Sequence, residues 1–109
     1  MAMRTIDETL IAQAVKLLAA AAPGATIILF GSQARHEAGE VSDADFLVIE
    51  PEMPSRREEM VRLRDVLRPL RIPADVLVIS RRDFEEWRDL PGTVVYEAAR
   101  EGRICHAAT

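Results

Sequence analysis

"LFGSQARHEAGEVSDADFLVIE", Leu29 to Glu50, decides how the chain is read. An apolar run ends at Gly31-Ser32, ten residues intervene, and then Asp43 and Asp45 stand two apart just before a second apolar run that starts at Phe46. Residues two apart in a strand share a face. Both carboxylates would therefore point the same way at the head of a strand, Asp45 to Ile49, that otherwise reads as core. Like charges that close resist joint ionisation unless something positive sits between them. Two readings stand open on these residues: solvated acids in a polar turn, or oxygen ligands for a hard cation, Mg2+ above all. Gly31-Ser32 is open in the same way. It reads as a turn with an N-cap, or as a site where glycine admits close approach and the first N–H groups of a helix favour a phosphate.

A third acid joins them. Asp75 heads the apolar run Val76-Leu77-Val78-Ile79. If that strand lies beside the second one, Asp75 faces the same cleft. An anion-binding turn next to a carboxylate cluster is what metal-dependent phosphoryl or nucleotidyl transfer requires.

Outward from this centre, Thr26 to Phe30 reads as a strand with both faces covered. Before it, Thr5-Ile6-Asp7-Glu8 reads as a capping box with Thr5 as N-cap. Ile6, Leu10, Ala14, Leu17 and Leu18 then recur at helical spacing until Pro23-Gly24. Ser32 to about Ala38 has room for one or two helical turns. Ser55 to Glu58 is a second capping box, opening a helix to about Arg68 with Met60, Leu63, Val66 and Leu67 inward. Ser80 caps a short helix whose Phe84 and Trp87 are expected on the sheet, and Thr93 to Arg100 is a last helix closed by Gly102. Tyr96 is read as a packed residue, and His106 falls in what reads as a frayed tail. Strands alternating with helices give an α/β (α+β) fold, a small mixed sheet of three or four strands flanked by helices, in one domain spanning residues 1–109. No G-x-G-x-x-G and no Gly-Lys-Ser/Thr follows the first strand, which removes the Rossmann and P-loop readings.

Composition narrows the function classes. A chain of 109 residues with 49% hydrophobic residues can build a core without staples. A net charge of −4 argues against direct nucleic-acid binding. The arginines between Arg56 and Arg71 alternate with Glu58, Glu59 and Asp65, the pattern of a solvated face. The single Cys105 allows no internal disulfide and reads as a small, buried or half-buried apolar residue. The longest uncharged stretch, Leu17 to Phe30, is too short to cross a bilayer and is broken by Pro23-Gly24. Asp7, Glu8 and Lys16 interrupt any leader-like apolar centre. A soluble cytoplasmic protein is expected.

Gly31-Ser32, ten residues, then Asp43-Ala44-Asp45 resembles the G-S-x10-D-x-D signature of nucleotidyltransferases with the DNA polymerase β-like fold. The longer string "GSQARHEAGEVSDADFLV" is similar to the minimal nucleotidyltransferases, many of which are antitoxins paired with HEPN ribonuclease toxins. The likeness runs from about residue 26 to 104 and includes Asp75. It implies the nucleotidyltransferase fold, with Gly31 and Ser32 holding a nucleoside triphosphate. Arg35, three residues past Ser32, has two open readings: facing the phosphates as part of the nucleotide-binding set, or forming a surface salt bridge. Asp43, Asp45 and Asp75 would be catalytic and bind two Mg2+ ions, with Asp75 helping to deprotonate the acceptor hydroxyl. It implies ATP as substrate and AMP transfer to a tyrosine of a HEPN-type toxin partner; whether the chain works in a homo- or hetero-oligomer stays open. A chain of this length leaves nothing over for the helical substrate domain of small-molecule transferases, which also points to a macromolecular acceptor. Where the family has Gly after Ser-x-Ala-Arg this chain has His36, a residue type that takes positive φ more readily than most. The alternative is a non-catalytic antitoxin or nucleotide-binding module that acts by contact. The nucleobase stays open.

Overall fold

The computed structural model describes residues 7–31, 44–53 and 55–107. Their four strands, β1 (Thr26–Phe30), β2 (Ala44–Glu50), β3 (Ala74–Ser80) and β4 (Arg103–His106), form one sheet in the order β3-β2-β1-β4. β1 is antiparallel to both β2 and β4, whereas β2 and β3 run parallel. The parallel pair needs a crossover, and α2 (Arg56–Val66) followed by a 3-10 turn (Arg68–Leu70) supplies it. α1 (Glu8–Ala21) precedes β1, while α3 (Arg81–Trp87) and α4 (Val94–Glu101) lie between β3 and β4.

Side-chain alternation sorts the sheet into two covered faces. Ile27, Leu29, Phe46, Val48, Val76 and Val78 pack against α1 and α2 through Leu10, Ala14, Leu18, Leu63 and Leu67. Ile28, Phe30, Leu47, Ile49 and Ile79 pack against α3 and α4 through Phe84, Val95 and Ala98. Burial on both sides explains why β1 and β2 are continuous apolar runs rather than alternating ones. It also fixes where the acids go: odd-numbered positions of β2 and β3 face the α3/α4 side.

Several local expectations need correction. The N-cap of α1 is Asp7, whose Oδ1 accepts from Leu10 N at 2.8 Å; Thr5 lies outside the described residues. Ser55 and Ser80 cap as their sequences suggest, accepting from Glu58 N and Asp83 N; Thr93, read as the first residue of the last helix, is its N-cap and accepts from Tyr96 N. Phe84 is buried at 6% exposure, but Trp87, three residues on, is 38% exposed, because α3 ends there and its last turn leaves the sheet. Tyr96 is half-buried, with the Arg100 guanidinium 5.2 Å above its ring.

The larger miss is β4, which occupies the segment read as a frayed tail. Arg103 binds Glu8 of α1 through both nitrogens at 3.0 and 3.1 Å, and Cys105 sits half-buried against the α1/α2 core. Gly102 enters this strand with φ −76°, so it is not a left-handed cap. Its lack of a side chain matters for packing: a Cβ there would lie 2.5 Å from Ile28 Cγ2 and 3.1 Å from Leu29 O, and would also press on Ala98 O. Backbone oxygens cannot step aside as a flexible side chain can. Gly102→Ala is therefore expected to lower unfolding free energy by about 1–3 kcal/mol, the cost of overpacking, and to speed hydrogen exchange at Ile104 first. A chemical-denaturation curve together with amide exchange checks it; an unchanged midpoint would mean that β4 docks loosely.

At the other end of β2, Glu50 faces α2. Burial first, and then its hydrogen bond with Glu59, push its carboxyl up to about 7. Glu59 is pulled down to about 2 by hydrogen bonds from Arg62 and Glu50, with Arg62 Nε 2.8 Å from its Oε1. The shared proton thus resides on Glu50. Since the folded value lies above the ordinary carboxylate value, Glu50's contribution is complete below about pH 4.5 and is lost as pH rises through 7. Glu59 has the opposite sign: its contribution is present above about pH 4.5 and disappears toward pH 2. Urea unfolding of the wild type should therefore weaken between pH 5 and 8. Glu50→Gln should flatten that slope and gain about 1–2 kcal/mol at pH 8, after discounting for partial solvent exposure. The same slope in both proteins would place the titration elsewhere.

Candidate active site

One end of the sheet gathers the C-terminus of β1 with the N-termini of β2 and β3. Ladder pairing sets Phe30 opposite Asp45, and Asp45 beside Asp75. In-register partners on parallel strands share a face, and adjacent strands lie about 4.8 Å apart. Asp45 and Asp75 are therefore neighbours on the α3/α4 side of the sheet. The ladder begins at Ala44, whose N–H donates to Pro73 O at 2.9 Å. Ala44 and Phe46 are fully buried, which anchors the half-buried Asp45 between them.

Gly31 follows β1 directly, with φ +81°. A Cβ on it would come within 2.5 Å of Asp45 Oδ2. The carboxylate thus leans over the glycine and fills the space a side chain would need. Two constraints coincide at this residue: a left-handed backbone that favours glycine, and close approach by an acid.

Asp75 is 60% exposed, as befits the start of an edge strand. Arg64 of α2 reaches around that edge and places Nη2 3.9 Å from Asp75 Oδ1. Nothing in the sequence pattern singled out Arg64, which reads there as one of several arginines on a solvated helix. It has no acid three or four residues away on its own helix, but Arg57 shares that feature, so the pattern does not mark it. Glu50 and Glu59 were equally unmarked, since their pairing depends on α2 folding over the end of β2.

Ser32, Arg35, His36 and Asp43 lie outside the described residues. Of the proposed metal ligands, Asp45 and Asp75 are described and brought side by side; among the described residues no three His, Cys, Asp or Glu side chains surround a common cation position. The donor set still suits a hard divalent ion, since it is two carboxylates on one face, with Asp43 two residues before Asp45 in the sequence. Two clefts lined by described residues, about 520 Å³ between α1 and β4 and about 450 Å³ between α3, α4 and β4, contain neither Asp45 nor Asp75. Their size alone is no reason to move the chemistry there, because neither joins paired acids to a glycine turn. No helix among the described residues is long and apolar enough to cross a membrane.

The fold has counterparts in solved structures. The chain is similar to a candidate nucleotidyltransferase from Sulfolobus solfataricus, with 17% identity and a TM-score of 0.61 over 88% of this chain and 76% of that one. It is similar also to a chain of a toxin–antitoxin structure with AMP-PNP, with 22% identity and a TM-score of 0.56 over 95% of this chain and 76% of that one. At such identities the likeness is one of fold. No curated protein sequence matches. The family described as "Nucleotidyltransferase domain" matches residues 11–104, a span that holds the glycine turn, all three acids and the whole sheet but its last two residues, and the chain belongs to that family.

Proposed function

We propose that the protein transfers AMP from ATP to a protein hydroxyl, a tyrosine of a HEPN-type toxin, and that it serves as the cytoplasmic antitoxin of that toxin. The observation that carries the reading is the contact between Gly31 and Asp45: a positive-φ glycine lies beneath a carboxylate that is itself in register with a second one. A turn built only to reverse the chain has no need of acids there. Similarity to a toxin–antitoxin structure with AMP-PNP supports the partner and the nucleotide.

In this reading Gly31 lets the triphosphate approach the backbone, and Ser32 and Arg35 hold its oxygens. Asp43, Asp45 and Asp75 hold Mg2+. When bound, the metal neutralises charge on the phosphates and the transferring group. Asp75 accepts the proton of the acceptor hydroxyl. The hydroxyl oxygen bonds to the α-phosphorus as the bond to the pyrophosphate oxygen breaks, and pyrophosphate leaves. With the acids and the glycine gathered at one end of the sheet, the toxin supplies the facing wall.

The test incubates the protein with α-labelled ATP, Mg2+ and the product of the adjacent reading frame. Label on that partner, lost when its acceptor tyrosine becomes Phe, is the expected result. Neutralisation of the toxin by both the wild type and Asp43→Asn/Asp45→Asn, without label transfer, would select the contact-only antitoxin instead.

A further inference from the structure

We propose that Arg64 is the resting counter-ion of Asp75 and sets the site's affinity for a divalent cation by competing for that carboxylate. The inference rests on the reading of Asp75 as a metal ligand.

The geometry that points to it is the way the arginines on and just after α2 are paired. Arg62 is held by Glu59, three residues back on α2, and Arg68, in the 3-10 turn that follows, by Asp65, three residues back in the chain. Arg64 has Met60 and Val61 behind it and Leu67 and Arg68 ahead, so its own helix offers it no acid. Its partner is instead Asp75, on a different element. β3 is an edge strand, and at such an edge a long side chain from the α2 face can round the sheet to meet a group on the opposite face.

The ion pair is loose as well as directed. At 3.9 Å it is too long for a hydrogen bond, and the two side chains are 54% and 60% exposed. A cation arriving at Asp75 need break no tight bond, but it must displace a positive charge and then tolerate it close by. Arg64 thereby guards an otherwise exposed acid when no metal is bound. It touches no substrate and acts through Asp75, so it is a positioning residue.

The experiment follows Mn2+ binding by the EPR signal of the free ion, with a non-hydrolysable nucleoside triphosphate present and no turnover. Arg64→Gln should tighten Mn2+ binding about two- to fivefold at low salt, the scale of one exposed ion pair. That gain should shrink at high salt as screening shortens. Arg64→Lys should stay near the wild type. Arg68→Gln, which makes the same charge change beside Asp65, should not reproduce the gain. Unchanged or weaker Mn2+ binding in Arg64→Gln, with wild-type binding still dependent on Asp75, overturns this inference alone. Wild-type binding that Asp75→Asn leaves intact overturns the assignment of Asp75 as a ligand and the inference with it.

Discussion

Asp45→Asn should cut nucleotidyl transfer by about 10²–10³-fold and leave the unfolding transition near that of the wild type. The activity loss equals about 2.7–4 kcal/mol of transition-state stabilisation, the scale seen when one well-placed electrostatic partner is removed. The fold should survive because burial at this point of β2 belongs to Ala44 and Phe46, both fully buried, while Asp45 is only half-buried. An amide keeps the shape of the carboxylate over Gly31 but loses its charge, so the variant isolates electrostatics from packing. Steady-state label transfer at saturating ATP, alongside a thermal melt, separates the two effects. Transfer within threefold of the wild type would move the chemistry away from the Asp45 end of the sheet.

That end was unusually legible from sequence, and the reason is physical. A carboxylate heading a run such as Phe46-Leu47-Val48-Ile49 contradicts the burial around it, and contradictions of that kind stand out. The central strands were legible too, because burial on both faces leaves no polar alternation to confuse with a helix or a turn. Thr26–Phe30 emerged with its observed bounds, and the others within a residue of theirs.

β4 was hidden for the opposite reason. At four residues, on an edge, with exposed and half-buried positions alternating, Arg103–His106 has no run of core residues to announce it. Its place depends on contacts distant in sequence, Arg103 with Glu8 and Gly102 against Ile28, which no local pattern encodes. Trp87 failed by a related route: a helical spacing of three promised a shared face with Phe84, but α3 stops before that face is completed. Arg64 and Glu50 acquire their roles only once α2 lies across the sheet. Local pattern thus reveals positions where a residue conflicts with its own segment, and stays silent where significance comes from another element.

Gly31→Ala sharpens the distinction between a site and a mere turn. Two costs add at this residue. A left-handed backbone at φ +81° costs an L-side chain about 1–2 kcal/mol. The new methyl would also lie 2.5 Å from Asp45 Oδ2, closer than real atoms approach, so the carboxylate has to swing away. Because Asp45 is a flexible, half-exposed side chain, that second conflict can be relieved without unfolding the strand. The expected stability loss is therefore about 1–3 kcal/mol in a denaturant titration, while transfer falls about 10²-fold because the acid has left its place. The decisive measurement is the double variant. If glycine acts by seating Asp45, Gly31→Ala combined with Asp45→Asn should transfer little worse than Asp45→Asn alone, since residues that act as one unit are not additive. Multiplying losses would show that the glycine's part in nucleotide approach, and not its seating of Asp45, carries its effect on transfer.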